Sequence, residues 1–179
     1  TPTTRRERSE GSYSRRRGGA WATLSLSCFA LLLTALYFQY QLGLEPCVKC
    51  IYQRTAIIGI GLAGIVGWIA PHHLSARLIG YAGWLVGAIW GWRIAADHWA
   101  IQTAENSWFI VCDTFPNFPT WMPLHKWLPA LFAAPGQCGE IEWSWMGLSM
   151  PGWMQIIFAC YTITAILVLI ARILKLRRL

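Results

Sequence analysis

The segment Pro46-Cys47-Val48-Lys49-Cys50 places two thiols three positions apart. Oxidised, the pair closes a small, strained ring that adds little stability. Strained and exposed disulfides have the more oxidising potentials and serve catalysis, so redox exchange is the favoured chemistry. Half of a zinc site would want a second close pair, but Cys112 and Cys138 are 26 residues apart. A Cys₄ site across two loops stays open as the weaker alternative, and no metal is expected. A thioredoxin-type motif needs βαβ surroundings, whereas long apolar runs flank this one.

Pro46 suits the first turn of a helix running into Ile51-Tyr52-Gln53-Arg54. Thiols at such a terminus meet its positive end, which favours the thiolate. Arg54 is four residues past Cys50 and seven past Cys47. At about 3.6 residues per turn the three lie within about 40° on one stripe. Arg54 reads either as an interface anchor or as an electrophilic donor to something bound at the membrane surface. An ionisable group at the start of an apolar helix favours the second.

The elements that must position these groups follow from the charge gaps. The chain has 179 residues, 55% apolar and only 13% charged, against about 25% charged in soluble domains. No charge occurs from Gly18 to Leu44, from Thr55 to Ala76 or from Trp143 to Ala171. Each gap holds the roughly 20 residues that cross a bilayer. Spanning helices are expected near 20–40, 51–70 and 152–171. A fourth apolar run, Leu78 to Trp92, spans near 78–97 only if it continues to about Asp97 with Arg93 snorkelling to the interface, and otherwise is a buried or re-entrant helix. The 12 Trp suit membrane interfaces.

Loop charge gives the orientation. Residues 1–17 hold six Arg and two Glu, and the tail 172–179 holds four bases and no acid. Segment 93–151 has two bases and five acids. The positive-inside rule puts both termini in the cytoplasm, so the number of crossings is even. The formal charge of +7 is thus a topology signal, and nucleic-acid binding is not expected. The division is a basic tail 1–17, a membrane domain 18–171 with outer loops 41–50 and 98–151, and a basic tail 172–179. Four cysteines (Cys47, Cys50, Cys112, Cys138) then face the side where disulfides persist, while Cys28 and Cys160 are mid-helix apolar fillers. His98 stands at the outer end of the third helix and by itself reads as a solvated end residue. In the long loop Trp121, Leu124, Trp127, Leu128 and Leu131 recur at helical spacing, so a short amphipathic helix on the membrane surface is expected.

The block Glu45-Pro46-Cys47-Val48-Lys49-Cys50-Ile51-Tyr52-Gln53-Arg54 resembles the signature of the DsbB family of bacterial disulfide-forming membrane proteins. Cys112-Asp113, Pro123-Leu124-His125-Lys126-Trp127, Gly136-Gln137-Cys138 and Trp145-Met146-Gly147-Leu148-Ser149-Met150-Pro151 are similar too. The resemblance implies an all-α membrane protein, a four-transmembrane-helix bundle of the inner membrane with a long periplasmic loop. It implies reoxidation of a periplasmic DsbA-like thioredoxin-fold partner, with electrons passed to a membrane quinone, ubiquinone or menaquinone. Carried over by position, Cys112 takes the partner's attack and Cys138 exchanges with Cys47. Cys50 is then the quinone-facing thiolate, and Arg54 and His98 lie at the quinone. Lys49 and Glu45 depart from many relatives, and Lys49 also occurs in the DsbI-like branch, so a dedicated partner stays open. Two rival readings are a vitamin K epoxide reductase-like protein, whose CxxC comes late in the chain, and a non-enzymatic scaffold with structural disulfides.

The charge asymmetry predicts that in intact cells an impermeant thiol reagent labels a cysteine placed in 100–110 and spares one placed in 72–76. Labelling at both places would break the four-crossing arrangement.

Overall fold

A computed structural model of the chain describes the backbone of residues 3–105, 113 and 116–176. Four long helices dominate: α1 (Thr3–Tyr40), α2 (Val48–Ile69), α3 (Leu74–Thr103) and α6 (Met150–Leu176). Between α3 and α6 come two single turns, α4 (Leu124–Trp127) and α5 (Pro129–Phe132), and two short strands, β1 (Ser144–Trp145) and β2 (Leu148–Ser149).

Segments Gly18–Tyr40, Val48–Ile69 and Met150–Leu174 are long and apolar enough to cross a membrane. Their outer faces agree, because Leu26, Phe29, Leu62, Ile69, Ile163 and Leu167 are all exposed. The chain is a multi-pass membrane protein. Two hydroxyls inside the first span are turned back onto their own helix, Ser27 Oγ to Leu24 O at 2.8 Å and Thr34 Oγ1 to Ala30 O at 2.9 Å, which satisfies donors that would otherwise face lipid. The expected helix at 78–97 is present within α3, whose 30 residues extend about 45 Å. α3 lies between α2 and α6, and α1 packs on α2.

Boundaries follow local chemistry. α2 stops at Ala70 because Pro71 disfavours helical backbone in the residue before it. α6 opens with Pro151 in its first turn, where no N–H is needed. The helix of α1 runs back through the basic tail to Thr3, so the spanning part continues a longer helix. The amphipathic segment of the long loop is cut in two. Its pieces meet at Leu128-Pro129, since Pro129 has no N–H to carry one helix onward. The all-α expectation also misses the β1–β2 hairpin, which turns on Met146 at φ 52° and Gly147 at φ 81°, the left-handed pair of a tight hairpin turn.

The core joins Trp21, Ile57, Ile60, Trp84, Ala88 and Phe158 from all four long helices. Small residues allow the close approach. Gly64 faces Ser25, whose hydroxyl also bonds Gly61 O at 3.0 Å, and Gly91 faces the Phe158 ring. This is how membrane helices associate where lipid competes for apolar contacts.

A Cβ at Gly91 would fall on the fully buried Phe158 ring. Gly91→Val is therefore expected to destabilise the bundle by about 1–3 kcal/mol, read as a lower midpoint of thermal unfolding in detergent. An unchanged midpoint would mean that α3 and α6 pack less closely than described.

Candidate functional site

The CxxC pair opens α2. Cys47 is its N-cap, with extended backbone (φ −84°, ψ 172°), and Ile51 N donates to Cys47 O at 3.1 Å. Pro46 therefore precedes the cap, two positions before the first helical residue, Val48, rather than standing in the first turn expected for it. An N-cap must leave the helical region to accept the first backbone bond, and Cys47 takes that place. Cys50 falls in the first turn, and the Cys47 thiol points at the Cys50 sulfur across 3.2 Å. That contact and burial push the Cys47 thiol well above its ordinary range.

Two further groups converge on Cys47. His98 of α3 brings its Nε2 to 3.5 Å from Cys47 Sγ, and Cys138 of the long loop brings its sulfur within 4.8 Å of both. All three are 2% exposed. The expectation of a solvated His98 is thus corrected. α2 and α3 pack along their length, so the outer end of α3 is covered by the CxxC loop rather than by water. Behind His98 stands Gln53, also buried, with Nε2 at 3.4 Å from Nδ1. With the Gln53 amide donating to Nδ1, the imidazole keeps its proton on Nε2 and offers it to the Cys47 sulfur.

Arg54 is 9% exposed and no loose interface anchor. Its Nη1 donates to Gln39 Oε1 at 2.6 Å and to Leu131 O at 3.2 Å, and its Nη2 to Ala35 O at 3.3 Å. One guanidinium thereby ties α2 to α1 and to the end of α5. All three acceptors are neutral, so the positive charge stays uncompensated and available to a developing anion.

Cys47, Cys50, Gln53, Arg54 and His98 line a cavity of about 110 Å³. Its floor is apolar, from Leu31, Ile57 and Met154, and its upper wall holds Cys50, Arg54 and His98. Glu45, Glu140 and Glu142 stand at the rim, where burial and the neighbouring Glu140 push the Glu142 carboxyl upward.

The loop that carries Cys138 is fixed by contacts outside the cysteines. Tyr40 Oη donates to Ala130 O at 2.7 Å, Asn117 N to Tyr52 Oη at 2.7 Å and Gln102 Nε2 to Glu140 O at 2.9 Å. Gly136 N donates to Pro46 O at 3.1 Å, and a Cβ at Gly136 would fall on the Glu45 carbonyl. Cys138 itself is disulfide-bonded, whereas Cys47 and Cys50 are thiols. Cys112 lies outside the described residues. Cys28 is a buried filler as expected, but Cys160 is exposed on the outer face of α6. Gln53, Gln39 and Gly136 went unassigned at the level of sequence. Only the adjacency of Gln53 to Arg54 and of Gly136 to Cys138 could have flagged two of them.

Residues 15–168 match the family profile described as Disulfide bond formation protein DsbB. Curated relatives carry the name Disulfide bond formation protein B. The one from Idiomarina loihiensis is 53% identical over 156 residues, 87% of this chain and 86% of its own. That from Pseudoalteromonas translucida is 46% identical over 159 residues, covering 89% and 92%. That from Yersinia pestis is 47% identical over 160 residues, covering 89% and 90%.

The Gly136 contact predicts that Gly136→Ala moves Cys138 away from Cys47. Misplacing reacting atoms by about 1 Å can cost on the order of 100-fold. In a Cys50→Ser, Cys112→Ser background, diamide-driven formation of a Cys47–Cys138 disulfide should slow by about 10- to 100-fold on adding Gly136→Ala. Equal rates by non-reducing peptide mapping would show that the glycine does not set the approach.

Proposed function

The chain belongs to the DsbB family of disulfide bond formation proteins, and from that premise we propose that it is a dithiol:quinone oxidoreductase of the bacterial inner membrane. It reoxidises a periplasmic DsbA-like thioredoxin-fold partner by disulfide exchange and passes the electrons to ubiquinone or menaquinone. α3 is the fourth crossing, both termini are cytoplasmic, and the cysteine end of the bundle faces the periplasm. The observation that carries the reading is the meeting of the CxxC pair, Cys138 and a half-apolar cavity at one end of the membrane helices.

The partner's thiolate attacks Cys112 and releases Cys138. Cys138, already within 4.8 Å of the Cys47 sulfur, attacks that sulfur in the oxidised CxxC, and Cys50 leaves as a thiolate. His98 donates to whichever sulfur of the exchange carries the charge. Arg54 holds its charge beside Cys50, which makes it the better leaving group. The second partner thiol displaces Cys112 from the mixed disulfide, Cys112 re-forms its disulfide with Cys138 and releases Cys47, and Cys47 closes again on Cys50, the pair's two electrons going to the quinone. In sum, two partner thiols become a disulfide, a quinone becomes a quinol, and the chain returns to its starting state.

The cavity fits a quinone ring. Its floor is apolar, Arg54 retains donors beyond those its acceptors among the described residues use, and Cys50 opens onto it. When bound, a quinone supplies a two-electron, two-proton acceptor. The chain orients it with Arg54 and supplies protons from the side of His98 and Glu142.

Steady-state assays with a reduced DsbA-like partner and varied quinone check this. Cys50→Ser should abolish quinone reduction yet still form the mixed disulfide at Cys112. Arg54→Met should lower turnover on quinone by about 10- to 1000-fold, the scale of losing one transition-state donor, while Arg54→Lys keeps part of it because charge survives without the planar fork. Unchanged quinone kinetics in Arg54→Met would move the quinone site elsewhere.

A further inference from the structure

Cys47 Sγ, His98 Nε2 and Cys138 Sγ, the atoms the exchange uses, also form a compact triangle of metal-ligating type. One ligand atom from each lies within 4.8 Å of the others, and the Cys47–His98 edge is 3.5 Å. A tetrahedral zinc ion, with Zn–S of about 2.3 Å and Zn–N of about 2.0 Å, makes S···N edges of about 3.5 Å and S···S edges of about 3.8 Å. The observed edge is that length, and with all three atoms within 4.8 Å of one another the other S···N edge needs to contract by about 1.3 Å at most and the S···S edge by about 1 Å at most. The donor set is soft and buried, which suits a thiophilic ion over magnesium or calcium.

We propose that the reduced chain binds a zinc-class cation at Cys47, His98 and Cys138, and that the bound ion holds the relay in its reduced state. The inference rests on the reading above only in that Cys138 must first be released from its disulfide. Opening that disulfide takes two electrons and two protons from a dithiol and leaves two thiols. Binding then forms two metal–sulfur bonds and one metal–nitrogen bond and releases the protons of Cys47 and Cys138; no electron moves. Two thiolates balance the charge of the ion, so no net charge is left in the buried site.

Three neighbours support it. Gln53 stands against His98 Nδ1 at 3.4 Å, and its amide, turned to present oxygen, accepts the Nδ1 proton and frees the Nε2 lone pair for the ion. Cys50, with its sulfur 3.2 Å from that of Cys47, is the nearest fourth ligand. A third thiolate there would be balanced by Arg54 across the same cavity. The acidic rim of Glu45, Glu140 and Glu142 attracts cations to the mouth. With the ion in place Cys138 can neither attack Cys47 nor reclose its own disulfide, so capture stops the relay only when reducing partner outruns oxidant.

The test uses the full chain in detergent, reduced with a phosphine, desalted without oxygen and titrated with cobalt(II) and then zinc(II). One cobalt per chain is expected, with thiolate charge-transfer and tetrahedral d–d absorption that zinc abolishes. The diamide-oxidised chain should lack these bands. His98→Ala and Cys138→Ser should each weaken binding at least about tenfold, a cost of about 1.4 kcal/mol. Cys28→Ala, Cys160→Ala and the double change His72→Ala, His73→Ala should leave it unaltered. Equal binding by oxidised and reduced chain, or cobalt bound without thiolate bands, overturns the proposal. Quinone reduction in EDTA reads the relay alone. Activity without metal binding removes this inference and spares the oxidoreductase reading; binding without activity does the reverse.

Discussion

A single guanidinium inside the membrane end of α2 sets the terms for everything around it. Unpaired, the Arg54 charge would carry a desolvation cost of several kcal/mol. Its acceptors are drawn from three places: Ala35 O and Gln39 in α1, and Leu131 O at the end of α5. Satisfying it obliges the top of α1, the start of α2 and the long loop to converge. Because neutral acceptors meet it and no carboxylate does, the charge is held in place yet kept available. A cavity with one fixed positive wall, beside a thiol pair, is the result.

The loop that completes the site is built for approach rather than for independent stability. Among the described residues its regular pieces are two single turns and a two-by-two hairpin. Its anchors include hydrogen bonds donated by Tyr40, Gln102 and Arg54, and one from Asn117 N accepted by Tyr52 Oη. Segments held in this way open at low cost. The proposed relay needs that, since Cys138 must alternate between its own disulfide and Cys47. Gly136 supplies the opposite constraint, a point where two backbones touch and no side chain fits.

His98 and Gln53 add a second buried polar pair behind Cys47. An imidazole whose far nitrogen faces an amide can hold its proton on either side, depending on how the amide is turned. A carboxylate at position 53 would favour one tautomer only. The pair can thus donate to a leaving sulfur in one state and offer a lone pair in another.

Much of this was legible in the chain before folding. The charge gaps place three crossings, because excluding charge from hydrocarbon is a property of each segment by itself. The stripe of Cys47, Cys50 and Arg54 is legible because helical period alone puts them on one face, and the CxxC block together with the spaced motifs after it carries the family. What the sequence could not decide depends on how segments approach one another. Cys28 and Cys160 have the same local context, yet packing turned one inward and left the other exposed. His98 sits at a helix end that looks solvated until α2 and the CxxC loop cover it. Pro129 dividing the loop helix and Gly147 turning the hairpin were visible as residues, but their consequences needed the neighbours that fix the backbone there. The acceptors of Arg54 lie as far away as residue 131, and no spacing rule reaches across 77 positions. Local period and solvent class are written in the chain; the partner of a buried charge is settled only when helices and loop close around it.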